Sequence, residues 1–326
     1  MVRIMCTLRN RITAIILRYL RIMSRQMPRD ATAPSEELPF ARQERLRFLE
    51  AMLLWTGAVT RRDVAEAFGV SLNHVTRDIN IYLQQYPEHL AISPKTHTYI
   101  AGPKFSPVYA SDDPAEHLGL LQTRAETGSV AVVPLVGGAC AEVATLPSPA
   151  HGIDRDVLVA VLRAIRLQQG LQLIYHSLQA GQPEKHTIWP HALLNTGVRW
   201  YARGYDDAGQ KFRDFALSRM DSPQPQAAAS PLSRDADSAW KTQVRAEVIP
   251  NPKLNAHQQR VVAREFSMKR DRTGWLWSLS LRQALVGYFA RRYKLDAKLP
   301  ADPSSHWIVL RNRAELKSFF LSEASE

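Results

Sequence analysis

The chain has 326 residues, 45% hydrophobic and 22% charged, the balance of a soluble protein of two or three domains. Its two cysteines, Cys6 and Cys140, exclude a disulfide framework and a zinc site and suit a reducing, cytoplasmic setting. The net charge of +11 is uneven: Arg3, Arg9, Arg11, Arg18, Arg21, Arg25 and Arg29 crowd residues 1–29, which hold no acid. The remainder is only mildly basic, so any nucleic-acid contact must come from a local patch.

Residues 1–40 read as a disordered basic leader and linker. The apolar run Ile12–Leu20 resembles a signal peptide or an amphipathic anchor but is short, broken by Arg18, and followed by no clean cleavage site, so the stretch reads as a disordered leader. Met23 and Met27 are candidate true starts. No other segment is apolar enough to span a membrane.

Residues 41–104 predict three helices and a small hairpin. Leu46, Leu49, Met52 and Leu53 recur at helical spacing, and Gly57 supplies a turn. Thr60 and Asp63 form a variant capping box for a second helix, which stops at Gly69. Ser71 caps a third helix reaching about Tyr86, with Val75, Ile79 and Leu83 pointing inward. Strand-like runs at 91–94 and 96–100 flank Lys95 and read as a wing. Helix, glycine turn and second capped helix make a helix-turn-helix, whose later helix enters the major groove. The candidate DNA-binding residues are Arg61 and Arg62, which would grip phosphates, then Ser71, Asn73, His74, Thr76 and Arg77 on the third helix, and Lys95 on the wing.

Residues 105–153 read as a linker or dimerisation segment, with a helix at Pro114–Gln122, a strand at Val130–Val136 and a Gly/Pro-rich stretch at 137–149. Asp154–Gln168 is a strongly amphipathic helix. Strands with polar-aromatic endings follow to residue 222. By alternation Leu171, Leu173, Tyr175 and Ser177 share a face, as do Tyr201, Arg203 and Tyr205, and as do Phe215, Leu217 and Arg219. Such faces suit a small barrel holding a polar ligand. Trp200 and Tyr201 read as core, and Asp206-Asp207 beside Gly209 as a hairpin turn. Ser222–Ser238, with three prolines and three consecutive alanines, reads as a linker. The segment 239–326 alternates strand, helix, strand, helix, strand at Gln243–Ile249, Ala256–Phe266, Trp275–Leu281, Gln283–Tyr293 and Trp307–Leu310, with a closing helix at Ala314–Ser322. That order predicts a ferredoxin-like α+β domain. Nothing predicts an enzyme: Ser177 lacks a nucleophile-elbow context, no Gly-rich phosphate loop appears, and the histidines show no metal spacing.

Four ordered phrases carry a resemblance: Ile174-Tyr175-His176-Ser177, Pro190-His191-Ala192-Leu193, Trp200-Tyr201-Ala202 and Phe212-Arg213-Asp214-Phe215 running on to Arg219. With them the chain resembles the bacterial WYL-domain transcription regulators, Ala202 standing where leucine is usual. The whole-chain layout is most similar to the homodimeric BrxR/CapW-type repressors beside anti-phage defence islands. The resemblance implies an α+β protein of three parts: winged helix at 41–104, Sm/SH3-like β-barrel (WYL) at 154–222, and C-terminal WCX extension at 239–326. It also implies a ligand pocket of Tyr175, Ser177, His191, Arg203 and Arg219, suited to a nucleotide or short single-stranded nucleic acid. The expected function is a homodimeric repressor on an inverted-repeat operator, relieved by that effector, with no other cofactor and no metal. The alternatives are an RNA- or single-strand-binding protein using the barrel, and an activator of a DNA-damage response.

Overall fold

The computed structural model describes residues 38–127, 142–146, 152–297 and 306–321. The basic leader, both cysteines, the strand expected at Val130–Val136 and most of the 137–149 stretch lie outside them. The chain divides into two compact units, Met1–Leu146 and Pro147–Glu326.

The first unit begins with α1 (Phe40–Thr56), β1 (Ala58–Val59), α2 (Arg61–Phe68) and α3 (Leu72–Gln85). It continues with β2 (Leu90–Ile92), β3 (Tyr99–Ala101) and α4 (Pro114–Thr127). Gly57 ends α1 at φ 82°, a left-handed conformation that any side chain would strain, and returns its N–H to the carbonyls of Met52 and Leu53. Thr60 and Asp63 make the reciprocal capping box, and Ser71 caps α3 through the N–H of His74. Phe48, Leu49, Leu53, Val59, Val64, Val75 and Ile79 fill the core. The β2–β3 hairpin is the wing, and β1 adds a third strand on β3 that the sequence reading lacked.

Two buried acids order this unit. Asp78 on α3 is 2% exposed and accepts from Arg42 and Arg45 of α1, each at 2.7 Å. Glu50 is fully buried; one carboxylate oxygen accepts from the Tyr82 hydroxyl at 2.7 Å. The other accepts from three consecutive amides, Val108, Tyr109 and Ala110, at 2.9, 2.6 and 2.8 Å. Burial and this carboxylate together push the Tyr82 phenol well above its ordinary pKa. A single carboxylate therefore moors the segment after the wing to the first helix.

The second unit opens with α5 (Arg155–Leu167), capped by Asp154. An antiparallel sheet follows: β4 (Gly170–Tyr175), β5 (Glu184–Asn195), β6 (Trp200–Asp206), β7 (Lys211–Ala216) and β8 (Met220–Gln226), ordered β7-β6-β5-β4-β8. Val157, Val161 and Ala164 of α5 pack on Leu171, Leu173, Ile188, Ala202 and Phe215 of one sheet face. Ala202, fully buried, completes that apolar layer. The expected closed barrel is not found: among the described residues β7 and β8 have no outer partner and remain edges.

Three further expectations change here. Residues Leu217–Arg219 form a 3-10 turn, so strand alternation stops at Ala216 and Arg219 does not continue the Phe215 face. Trp200 is 44% exposed rather than core. The stretch read as a linker contains β8, whose prolines, Pro223 and Pro225, are tolerated because the strand is an edge.

The C-terminal part comprises α6 (Ser238–Lys241), β9 (Gln243–Pro250), α7 (Ala256–Glu265), β10 (Lys269–Arg270) and β11 (Trp275–Arg282). It ends with α8 (Val286–Arg292), β12 (Ile308–Leu310) and α9 (Arg313–Leu316). Its antiparallel sheet runs β10-β11-β9-β12. Trp275 and Trp277 face its core, and Trp277 meets Phe266, Phe289 and Tyr293.

Candidate functional site

The candidate DNA-reading surface lies on α3 and its flanks. Asn73, His74 and Arg77 are exposed on α3, and Arg62 is exposed at the start of α2. Arg61 is also exposed, but its guanidinium donates to Thr76 Oγ1 at 3.1 Å, and Thr76 donates to the Leu72 carbonyl. That pair fixes α2 against α3 and leaves Thr76 half-buried. Ser71 is occupied as the cap of α3. Lys95 stands exposed at the wing tip, where His97 takes a left-handed φ of 54°. The arrangement presents donors and acceptors on one helix, with cations at both margins.

The five candidate ligand residues do not gather in one place. Tyr175 faces the sheet side packed on α5, is 8% exposed, and its phenolic oxygen accepts from the Ala216 amide at 3.2 Å. Its ring meets Phe215 and His186 edge-on. Beside it Asp206, fully buried, lies 3.0 Å from His186 Nδ1 and accepts from Arg213 at 3.1 Å. Asp206 is thus more than the turn residue expected.

His191 and Arg203 meet on the opposite sheet face. A β-bulge falls between Pro190 and Ala192, which accommodates a proline in a central strand and aims His191 across that face. Opposite the bulge, Gly204 leaves no room for a Cβ, which would sit 2.6 Å from the Trp189 carbonyl oxygen. Arg203, 5% exposed, grips Asp237 through two nitrogens at 2.6 and 2.9 Å. Its third nitrogen donates to Asp214 at 2.9 Å. Tyr288 donates to the other Asp214 oxygen at 3.1 Å, and His191 Nε2 lies 3.0 Å from Asp237. Arg282 covers Trp240 at 4.7 Å, and Asp237 caps α6 through the Trp240 amide.

The electrostatics follow from that geometry. Burial works to raise the Asp237 carboxyl, but hydrogen bonds from His191 and Arg203 outweigh it and hold the pKa at about 2. Burial dominates at Asp214, raising its pKa despite Arg203, and burial with the Asp214 charge raises the Tyr288 phenol. Arg203 is a buried structural cation with every nitrogen engaged.

Ser177 and Arg219 flank the end of β4. The His176 amide donates to the Arg219 carbonyl at 2.9 Å, bringing the two backbones together. Ser177 Oγ accepts from the Gln179 amide at 3.2 Å, and among the described residues the Arg219 guanidinium makes no hydrogen bond or ion pair. Neither Asp214 nor Asp221 pairs with it: Asp214 belongs to Arg203, and Asp221 lies 3.9 Å from His176. A cleft of about 500 Å³ beside the network takes in His191 with Trp189, Phe212, Ser230, Ser233 and Arg234. Sequence reasoning missed Asp237, which sits 34 residues from Arg203 at the end of a Pro/Ala-rich stretch. Among the described residues no cluster of metal-ligating side chains occurs, and no helix is long and apolar enough to cross a membrane.

Three family models match the chain in order. Residues 41–123 match the BrxR transcriptional regulator winged helix-turn-helix domain, and 156–225 match the WYL domain. Residues 243–316 match the BrxR transcriptional regulator C-terminal dimerization domain. The DNA-binding transcriptional repressor CapW of Stenotrophomonas maltophilia is 29% identical over 87% of this chain and 94% of its own length. The CapW repressor of Pseudomonas aeruginosa is 26% identical over 88% of this chain and 98% of its own. Among solved structures, the proteasome accessory factor B/C of Arthrobacter aurescens is 20% identical, at a TM-score of 0.25. That match spans 89% of this chain and about half, 51%, of the other, and at so low a score it carries no argument. The ordered winged helix, WYL and dimerization domains, with similarity to curated repressors over most of the chain, place this chain in the BrxR/CapW-type family of WYL-domain transcriptional regulators.

Proposed function

We propose that this protein is a homodimeric, cytoplasmic repressor that binds an inverted-repeat operator, silences a phage-defence operon, and is released by a phosphate-bearing effector. The observation that carries the reading is the capped α2–Gly69–α3 pair beside its wing, with Asn73, His74 and Arg77 facing solvent and Arg62 and Lys95 at the margins. Those groups match the chemistry of base edges and phosphates in a major groove. The C-terminal dimerization model supports two such heads, for which half-sites lie about one helical turn, roughly 34 Å, or a multiple apart. The β10-β11-β9-β12 order, with α7 and α8 as the crossovers, supports a ferredoxin-like reading of that part. An effector can act only by binding one arrangement of the dimer better than the other.

The test is Arg77→Ala in a gel-shift titration at fixed salt, with dimer mass followed by sedimentation. Loss of one base or phosphate contact lowers operator affinity by about 1–3 kcal/mol and leaves the dimer intact. Unchanged affinity removes Arg77 from the interface.

A further inference from the structure

A small cleft of about 270 Å³ lies between the β5–β6 turn and α8, lined by Thr196, Val198, Arg199, Tyr201, Tyr288, Arg291, Arg292 and Leu321. It shares none of the five residues expected to hold a ligand. Its lining holds three guanidinium groups and no carboxylate. The other clefts described are balanced: Arg163 with Asp156, Arg234 with Asp235, Arg47 with Glu116. Arg291 pairs with Asp296 at 3.9 Å, but Arg199 and Arg292 have no carboxylate partner among the described residues, and a concave surface holding two such cations selects an anion.

The cleft is also built in advance. The turn is pinned by Thr196 and Arg199, whose backbone and hydroxyl groups exchange bonds at 3.1 to 3.3 Å. Gly197, at φ 81°, leaves space that Arg292 fills: the Arg292 guanidinium donates to the Thr196 carbonyl at 3.1 Å, and a Cβ on Gly197 would fall 1.6 Å from it. Arg199 is half-buried, and among the described residues its guanidinium has no hydrogen bond or ion pair. Burying part of an unsatisfied cation is unfavourable unless an anion completes it. Tyr201 and Tyr288 close one wall with ring centroids 5.3 Å apart, and Tyr288 is held from behind by Asp214. Planar guanidinium forks beside phenol faces suit a phosphate group better than a carboxylate or a halide.

We propose that this cleft binds a phosphate monoester, with Arg199 and Arg292 on the phosphate oxygens and Tyr201 beside the group that carries it. The binding claim is independent of DNA recognition; only its regulatory consequence rests on the effector reading above. Arg292 belongs to α8 and Arg199 to the turn between β5 and β6, so a bound phosphate joins the WYL sheet to the dimerization part.

Calorimetric titration of the full-length protein in low-salt chloride buffer, with inorganic phosphate, adenosine 5′-monophosphate and adenosine, tests the site. The phosphate-bearing probes bind and adenosine does not. Tighter binding of the monophosphate assigns the site to nucleotides, whereas equal binding assigns it to free phosphate. Arg199→Glu, which breaks no contact in the fold, weakens binding roughly tenfold or more. Gly197→Ala, which displaces Arg292, does the same. Arg234→Glu in the neighbouring cleft leaves binding within about twofold. No binding up to about 10 mM, equal binding of adenosine, or an Arg199→Glu protein that binds like the parent overturns the proposal. A gel shift on the same proteins keeps the two readings apart: operator binding with no phosphate binding removes this site and leaves the repressor assignment standing.

Discussion

Arg203→Ala tests whether the network around that side chain is structural. Arg203 is 5% exposed and supplies two nitrogens to Asp237 and one to Asp214. Removing it leaves two buried carboxylates facing each other with fewer donors. Asp237 keeps His191 and the Trp240 amide, but Asp214 keeps only Tyr288. Breaking a buried pair from one side costs about 3–5 kcal/mol, because the stranded charge has lost its compensation. Protonation of Asp214, whose pKa burial already raises, limits the cost, so about 3 kcal/mol is the working figure. For a folded unit of this size that lowers Tm by roughly 6–12 °C. Thermal and urea denaturation followed by tryptophan fluorescence measure it. Asp214→Asn in the Arg203→Ala background recovers part of the loss, since it removes the stranded charge. A loss under about 1 kcal/mol, or a double variant no better than the single one, would refute the reasoning.

Two other perturbations follow from buried acids. Glu50→Ala strands three amides, leaves the Tyr82 hydroxyl with His89 Nδ1 alone at 2.9 Å, and destabilises the first unit by about 4 kcal/mol; faster hydrogen exchange at Val108–Ala110 localises the effect, and protection equal to the parent's sinks it. Asp237 makes an acid-side prediction, because its folded pKa of about 2 lies below its ordinary 3.8. A depressed carboxyl stabilises above its unfolded pKa and loses that stability as pH falls through the folded value, so about 2 kcal/mol disappears between pH 4 and pH 2. Asp214, with a raised pKa, contributes with the opposite sign and favours the fold as it takes up a proton. Urea midpoints across that window fall more steeply for the parent than for Asp237→Asn, and parallel slopes contradict the assignment.

The winged helix was legible because its signals are local. Gly57, Thr60 with Asp63, Gly69 and Ser71 each fix one chain reversal or helix end within four residues. The charged residues of its interior were not. Glu50 and Asp78 look like the polar face of amphipathic helices, and only tertiary partners far along the chain explain their burial. The sensor sheet shows the same division. Alternation placed Tyr201, Arg203 and Tyr205 on one face, as the register requires, but parity does not reveal which side of a sheet is covered by what. Tyr175 and Arg203 therefore looked like neighbours in one pocket, whereas their side chains leave opposite faces. The 3-10 turn at Leu217 interrupted the alternation on which Arg219 had been placed. Asp237 carried no motif, and its role depends on a bidentate partner in β6, with β7 and β8 intervening.

The open edges of the WYL sheet bear on self-association. An unpaired strand edge is a template for further strand addition, and among the described residues this sheet presents two of them. Pro223 and Pro225 strip backbone donors from β8, while exposed Lys211 and Arg213 put positive charge along β7. Both margins resist docking of a second copy in continuous hydrogen-bonded register. In the proposed homodimer, subunits that meet through side-chain surfaces can rotate against one another without tearing a ladder of main-chain bonds, and each sheet stays intact.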